Sequence, residues 1–180
     1  MDFDDKQIVE GCIANDRLYQ KALYDKYSVF LLSICRRYSK NMEDAKDMCQ
    51  EVFIKVYLSI DKYSFQGSLA GWLRRLAINF ALNTLRTNYY KVKNVDLTET
   101  NSLVSHNLAM ENFTNEDLLE ILNQLTDTER FIFNMIEIDN QPLEYVCQAL
   151  KLEKSTVRSM NSRLKAKILN LLDEMYKNKN

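Results

Sequence analysis

The segment from Leu143 to Ile168, LEYVCQALKLEKSTVRSMNSRLKAKI, contains two amphipathic stretches separated by three residues, Lys151, Leu152 and Glu153. Apolar side chains recur in both stretches every three or four residues, which is the spacing of one face of an α-helix. They are Leu143, Val146, Cys147 and Leu150 in the first stretch, and Val157, Met160, Leu164, Ile168, Leu171 and Met175 in the second. The spacing predicts helices over 142–150 and 154–176. Two helices joined by so short a turn are typical of a helix-turn-helix.

The side of the second helix opposite this apolar stripe carries short polar side chains and cations, namely Ser155, Arg158, Ser159, Ser162 and Arg163. Small polar side chains let a helix enter the DNA major groove, and arginine reaches phosphates or guanine edges. Lys165 and Lys167 extend the cationic side, and residues 154–167 contain five cations and no acid. The pattern favours DNA binding, although an ordinary helical hairpin with a solvated outer face has the same periodicity.

Composition predicts helices along the rest of the chain. Only 3 glycines and 1 proline occur among 180 residues, whereas β-sandwiches, barrels and glycine-rich nucleotide-binding folds need many more turn residues. Apolar periodicity predicts further helices over 5–14, 16–27, 28–39, 42–60, 68–88 and 127–138, with caps at Asn41, Ser68 and the box Thr126-x-x-Glu129. Residues 93–113 are polar and weakly periodic. We therefore predict an all-α protein with two helical domains, 1–92 and 114–180, joined by a linker at 93–113.

Charge is segregated along the chain. The net charge is −1 overall, but residues 58–95 carry +5, residues 96–130 carry −7 and residues 131–180 carry +2. Two basic segments separated by an acidic one indicate two local surfaces for anions. A protein that binds DNA without help is usually basic overall, so the near-neutral total suggests that a partner contributes part of the DNA affinity.

A second polar stripe lies on the predicted helix over 68–88. Its members are Trp72, Arg75, Asn79, Asn83 and Arg86, spaced so that all fall on one face. Aromatic stacking combined with amide and guanidinium hydrogen bonds is how unpaired bases are held. The preceding loop supplies Tyr63, Phe65, Gln66, Gly67 and Ser68, which could line a pocket for an extruded base. The alternative is that Trp72 covers the core and the arginines are merely solvated.

The predicted helix over 42–60 has a polar face of its own. Asp47, Gln50, Glu51 and Lys55 lie on it, while Ala45, Met48, Cys49, Val52, Phe53 and Val56 are expected to pack inward. An acidic face beside a basic segment suits a basic protein partner, although an ordinary amphipathic surface helix looks the same.

Several classes of protein are disfavoured. The four cysteines form no Cys-x-x-Cys pair and His106 is the only histidine, so we expect buried free thiols, no metal site and no cofactor. The same scarcity leaves no recognisable nucleophilic constellation, and nothing indicates an enzyme. No apolar run approaches the roughly 20 residues that span a bilayer, and the acidic N-terminus resembles no secretory or transit signal. We expect a cytoplasmic protein.

Taken together, the motifs resemble those of the small two-domain bacterial sigma factors of the extracytoplasmic-function (ECF) type. MEDAKDMCQEVFIKVY at 42–57 is similar to the family's core-binding helix, and GWLRRLAINFALNTLR at 71–86 to its minus-ten helix. Residues 125–130 are similar to the family segment LPPREREV, and residues 143–150 and 155–159 resemble the helix-turn-helix that reads the minus-thirty-five element. Lys151 stands where the family usually has glycine, Glu153 where a serine caps the second helix, and Met160-Asn161 where Arg-Leu is usual.

The resemblance implies a role for each set of residues. Asp47, Gln50 and Glu51 would contact core RNA polymerase. The loop from Tyr63 to Ser68 would capture a flipped minus-ten base, beside Trp72, Arg75, Asn79 and Asn83 on minus-ten DNA. The minus-thirty-five groove would be faced by Ser155, Thr156, Arg158, Ser159, Ser162 and Arg163. The acidic linker would run through the polymerase. An inhibitory anti-sigma partner is common in the family, and no residue of this chain identifies one.

Three hypotheses follow, and each predicts different binding. A sigma factor binds core polymerase and directs it to promoters. A conventional helix-turn-helix regulator binds duplex DNA alone, usually as a dimer on symmetric half-sites, and leaves the tryptophan-asparagine stripe without a role. A degenerate relative that only titrates polymerase would bind core and start no transcripts.

Overall fold

The computed structural model describes residues 3–91 and 114–179, and throughout these ranges the regular structure is helical. Its elements are α1 (Asp5–Ile13), α2 (Arg17–Tyr38), α3 (Met42–Ser59), a 3₁₀ turn (Ile60–Lys62), α4 (Leu69–Lys91), α5 (Asn115–Asn123), α6 (Asp127–Phe133), a π-helical turn (Asn134–Ile138), α7 (Leu143–Leu150) and α8 (Lys154–Lys179). The all-α prediction is confirmed. Among the described residues, no helix is both long and apolar enough to cross a membrane. The predicted linker at 93–113, with His106, lies outside the described residues.

The helix starts that the sequence predicted are present. The side chain of Asn41 accepts a hydrogen bond from the backbone N–H of Asp44 at 2.8 Å, and Thr126 and Glu129 form a reciprocal capping box. The hydroxyl of Ser68 accepts from the backbone N–H of Gly71 at 3.1 Å. Each bond satisfies a backbone donor that the first helical turn leaves without a partner.

The predicted boundary between helices at residues 27 and 28 is wrong, because α2 is one helix of 22 residues. Its buried side chains are Leu23, Tyr27, Leu31, Ile34 and Cys35, which form an unbroken stripe at helical spacing. Neither glycine nor proline interrupts this stretch. With a continuous apolar face to bury, nothing in the chain ends the helix before Tyr38.

The chain divides into two compact units, 1–84 and 85–180, and α4 crosses the division. The first unit packs α1, α2 and α3 together around the buried side chains of Leu31, Val52 and Val56. The aromatic rings of Tyr24 and Phe53 meet at a centroid distance of 4.9 Å. Arg74 on α4 lies over the ring of Phe30 on α2, and Lys55 on α3 lies over the ring of Phe80 on α4. These cation–π contacts hold α4 against both α2 and α3.

The core of the second unit contains a buried arginine. Arg130 is 1% exposed, and its Nε donates to the carbonyl of Leu122 at 3.0 Å. That carbonyl lies in the last turn of α5, so the guanidinium of Arg130, which belongs to α6, caps the C-terminus of α5. Burial lowers the pKa of Arg130 from its usual value, and the nearby carboxylate of Asp127 opposes that effect.

The predicted helix over 127–138 changes form at its middle. Residues 134–138 make a π-helical turn, closed by a hydrogen bond of 2.8 Å from the N–H of Asp139 to the carbonyl of Asn134. The buried side-chain amide of Asn134 donates to the carbonyl of Arg130 at 2.9 Å. A side chain therefore takes part in the backbone ladder where the helix widens, which is a recognised cause of such irregularities.

We predict that Arg130→Lys lowers the free energy of unfolding of the second unit by about 2 kcal/mol, because the carbonyl of Leu122 loses its partner. Urea unfolding followed by circular dichroism measures this change. Fluorescence of the single tryptophan, Trp72, reports the first unit and should be unaffected. The exposed Arg163→Lys is the matched control and should change stability by less than about 0.5 kcal/mol. Equal free energies of unfolding for Arg130→Lys and Arg163→Lys would contradict the capping of α5 by Arg130.

Candidate nucleic-acid and protein interfaces

The outward face of α3 combines acidic and apolar side chains. Asp47, Gln50 and Glu51 are exposed, as the sequence analysis expected of a polar face. Two apolar residues that the sequence analysis did not assign lie on the same face, Ile54 at 51% exposure and Leu58 at 77%. Positions 47, 51, 54 and 58 follow helical spacing, so this signal was present in the sequence. We call these five residues the α3 outer face.

The opposite side of α3 explains why the outer face points away from the core. Ala45, Cys49, Val52 and Val56 are buried and occupy the side that packs in the first unit. The hydroxyl of Tyr57 donates to the carbonyl of Gln20 at 3.0 Å, which fixes the rotation of α3 against α2. An exposed apolar pair bordered by carboxylates is typical of a surface that another protein covers.

The loop between α3 and α4 is held from inside by Tyr63. This side chain is 7% exposed, and its hydroxyl donates to the carbonyl of Gly67 at 2.7 Å. Its ring lies 5.0 Å from that of Phe65 and 5.6 Å from that of Trp72, measured between centroids. Tyr63 therefore joins the loop to the first turn of α4, while Phe65, Gln66 and Ser68 remain exposed.

Two residues of this loop have left-handed backbone conformations, Phe65 with φ of 57° and Gly67 with φ of 89°. Glycine adopts that region freely, whereas an L-residue such as phenylalanine is strained there by about 1–2 kcal/mol. The strained conformation accompanies an exposed aromatic ring, since Phe65 is 48% exposed. Strain of this kind is concentrated at ligand-binding sites.

Four of the five residues of the sequence-predicted stripe on α4 share one accessible face, whereas Arg86 is half-buried and its Nε donates to the carbonyl of Ala149 at 2.8 Å. Arg75, Asn79 and Asn83 are exposed, and Trp72 is half-buried beside Tyr63. Leu73, Ala77 and Ala81 are buried on the other side. The face thus presents one partly accessible indole followed by a guanidinium and two amides. We call Trp72, Arg75, Asn79 and Asn83 the α4 polar face.

The turn between α7 and α8 depends on one left-handed residue. Lys151 has φ of 55°, and the N–H of Leu152 donates to the carbonyl of Cys147 at 3.1 Å. This arrangement ends a helix in the manner that glycine usually supports. Lysine adopts the same conformation here, so the turn forms without glycine and retains some backbone strain.

On α8, the predicted inner and outer sides are largely confirmed. Val157, Leu164 and Ile168 are buried, whereas Met160, Leu171 and Met175 are only half-buried and Leu172 takes the last buried position. The predicted polar residues Ser155, Arg158, Ser159, Ser162 and Arg163 are exposed, and we call these five the α8 outer face. Thr156 is half-buried beside it.

The two lysines expected to extend the cationic side of α8 are instead paired with acids. Lys165 Nζ lies 3.0 Å from Glu137 Oε1, and Lys167 Nζ lies 2.9 Å from Glu129 Oε2. Burial would raise the pKa of Glu129, but its hydrogen bonds from Thr126 and Lys167 outweigh burial and lower it. The positive charge of the α8 outer face is therefore carried by Arg158 and Arg163.

All four cysteines are free thiols, with Cys12, Cys35 and Cys49 buried and Cys147 half-buried. Within residues 3–91 and 114–179, no group of histidine, cysteine and carboxylate side chains could hold a metal ion.

Known proteins resemble this chain in sequence and in fold. Residues 23–89 match the family model of Sigma-70 region 2. The ECF RNA polymerase sigma factor SigW of Bacillus subtilis (strain 168) is 27% identical over 150 residues, covering 76% of this chain and 80% of SigW. The ECF RNA polymerase sigma-E factor of Escherichia coli (strain K12) is 24% identical over 185 residues, covering 96% of each chain. The sigma factor RpoE, solved in complex with the anti-sigma factor NepR from Bartonella quintana, shares the fold with a TM-score of 0.54 at 20% identity, covering 85% of this chain and 96% of that chain.

We predict that Lys151→Gly raises the free energy of unfolding by about 1 kcal/mol, because glycine removes the left-handed strain. Urea unfolding followed by circular dichroism measures it. Gln148→Gly, placed inside α7, is the matched control and should lower stability by up to about 1 kcal/mol. A loss of stability in Lys151→Gly would show that the turn between α7 and α8 is not left-handed.

Proposed function

The chain belongs to the ECF sigma factors, and on that premise we propose how its surfaces bind core RNA polymerase, direct it to promoters and help to open the DNA. One observation supports the assignment most strongly. The segment that matches Sigma-70 region 2 contains the α3 outer face, the strained loop and the α4 polar face, all in residues 23–89. The chemistry of transcription belongs to the polymerase, and we propose that this chain is not itself an enzyme and acts in the cytoplasm.

The α3 outer face is our candidate for the contact with core polymerase. Asp47, Gln50 and Glu51 would provide the polar part of the contact, and Ile54 and Leu58 its apolar centre. Burial of a fully exposed aliphatic side chain contributes roughly 1.5–3 kcal/mol, so Leu58, at 77% exposure, would contribute more than Ile54, at 51%. The carboxylates would then select a partner surface that is basic at its rim.

The loop and the α4 polar face are our candidates for minus-ten DNA. Phe65, Gln66, Gly67 and Ser68 would form the pocket for an extruded base, with Tyr63 supporting the loop beneath them. Trp72 would stack on a neighbouring base, and Arg75, Asn79 and Asn83 would bind the strand beyond it. Stacking of this kind contributes about 1–3 kcal/mol per base and is available only after the strands separate. Such contacts therefore stabilise the open state over the duplex.

The α8 outer face is our candidate for the minus-thirty-five element. Arg158 and Arg163 would contact phosphates or guanines, while Ser155, Thr156, Ser159 and Ser162 allow close approach to the groove. With two arginines available there, affinity for free DNA would be low. Recognition would require core polymerase to hold both units on one promoter, which agrees with the near-neutral net charge.

These assignments imply the domain boundaries that we propose. Residues 1–92 would bind polymerase and minus-ten DNA, residues 93–113 would form a linker, and residues 114–180 would bind minus-thirty-five DNA. The net charge of −7 over residues 96–130 suits a channel that nucleic acid otherwise occupies. The related RpoE was solved with the anti-sigma factor NepR. We propose that a partner of this kind could cover the α3 outer face here and so compete with the polymerase.

We predict that Leu58→Asp weakens the affinity for core polymerase by about tenfold or more, because a carboxylate replaces an apolar hot spot. Fluorescence anisotropy of a labelled chain titrated with core polymerase measures the dissociation constant.

Val29→Asp is the matched control, since Val29 is 79% exposed on α2 and Leu58 is 77% exposed on α3. Both substitutions place the same charge on the first unit, so affinity should fall only for Leu58→Asp. Equal affinities of the two variants would rule out the α3 outer face as the polymerase contact.

We also predict that Trp72→Ala leaves the affinity for core polymerase unchanged and slows promoter opening by about tenfold or more, because one base loses its stacking partner. Permanganate reactivity of unpaired thymines measures opening. A template whose minus-ten region is mismatched, and therefore already open, should restore transcription by the variant. Normal opening of duplex templates by Trp72→Ala would refute the assignment.

A further inference from the structure

A polar side chain interrupts the buried stripe of α8. The buried positions Val157, Leu164, Ile168 and Leu172 follow helical spacing, and Asn161 occupies the remaining position of that series, four residues after Val157 and three before Leu164. Its amide Nδ2 donates to Glu137 Oε1 at 2.9 Å, on the π-helical turn that follows α6. Asn161 therefore joins the helix proposed to read DNA to the element packed beneath it.

The hydrogen-bonding capacity of this side chain is only partly used. Asn161 Oδ1 is buried without a hydrogen-bond partner in the described part of the chain. A buried acceptor that lacks a donor destabilises a fold, and an apolar side chain of similar size would pack at the same place without that loss. A role other than stability would explain an asparagine at this position.

A lone polar residue in a buried helical stripe can determine register, because its hydrogen bond is satisfied in only one alignment of the two elements. Here the acceptor is shared. Glu137 Oε1 receives Asn161 Nδ2 and lies 3.0 Å from Lys165 Nζ, so two successive turns of α8 converge on one carboxylate oxygen. A shift of α8 by one residue turns the helix by about 100° and would carry both side chains away from Glu137. Purely apolar packing would resist such a shift less strongly.

The π-helical turn makes Glu137 available for this role. The turn is held by the bond from the N–H of Asp139 to the carbonyl of Asn134 and by the buried amide of Asn134. Turns of this kind often occur at functional sites.

We infer that Asn161 and Glu137 are positioning residues for promoter reading, which set the register of α8 and thereby the direction of its outer face. Arg158 and Ser162 adjoin Asn161 on the helix, so a change of register would move them relative to the base pairs. The inference rests on the proposed function of the α8 outer face and concerns residues that need not touch DNA. Its signature is a loss of base discrimination without a loss of stability.

The experiment uses the full chain reconstituted with core polymerase and a library of linear templates randomised in the minus-thirty-five region. Sequencing of barcoded transcripts gives the enrichment of the preferred upstream sequences, and urea unfolding gives stability. Asn161→Leu should retain or gain stability, while enrichment falls by about fivefold or more, the lower end of what one base contact contributes. Met160→Leu, at the neighbouring half-buried position, is the matched control and should leave enrichment unchanged.

A second set of variants exchanges the two partners. Asn161→Asp alone places two carboxylates together and should reduce enrichment. Combined with Glu137→Gln, it restores one hydrogen bond with the roles reversed, and it gives Lys165 a carboxylate four residues earlier on its own helix. The double variant should recover the enrichment of the unmodified chain to within about twofold.

The outcomes separate the two proposals. If Asn161→Leu keeps the original enrichment to within about twofold, the positioning role is overturned. If Asn161→Leu is unstable, the test depends on the double variant Asn161→Asp with Glu137→Gln. Failure of this double variant to recover the enrichment overturns the positioning role. Absence of any enriched sequence for the unmodified chain would instead refute the proposed reading by α8.

Discussion

Burial of one apolar stripe on each helix is the constraint on which the rest of this structure depends. In α3 the buried positions Cys49, Val52 and Val56 leave only one orientation for Asp47, Glu51 and Leu58, and that orientation is outward. The same reasoning applies to α4 and α8. Because a helix has a period of 3.6 residues, choosing the buried stripe also chooses the exposed one. The interaction surfaces of the protein are thus a consequence of how its core packs.

Three irregular points of the backbone lie at or beside the candidate surfaces, whereas the left-handed residues Asn15 and Asn140 lie elsewhere. With 3 glycines in the chain, left-handed conformations fall on residues such as Phe65 and Lys151. One holds an aromatic ring exposed beside the α4 polar face, and the other turns the chain from α7 into α8. The π-helical turn adds a third irregularity and presents Glu137 to α8. The left-handed conformations of Phe65 and Lys151 lower local stability, which agrees with the view that strain is retained where geometry matters.

Much of this arrangement could be predicted from spacing alone. Apolar periodicity located most helices, and the short polar side chains of α8 were found on the exposed side as expected. The features that were predicted wrongly, or not predicted at all, have physical causes. The boundary inside α2 was predicted where the chain has no residue that ends a helix. Ile54 and Leu58 went unassigned because apolar character is usually associated with the core. The capping role of Arg130 could not be predicted, since nothing local indicates that Leu122 would accept its hydrogen bond. Pairing of Lys165 and Lys167 with glutamates likewise depends on contacts between helices.

Gel filtration of the purified chain mixed with core polymerase tests most directly whether the chain acts by binding core RNA polymerase. We predict a complex of one chain with one polymerase, which elutes ahead of the free chain and starts transcripts at defined sites. If no complex forms, and the chain by itself shifts duplex DNA, the protein acts as a conventional helix-turn-helix regulator and the polymerase-binding claim is wrong.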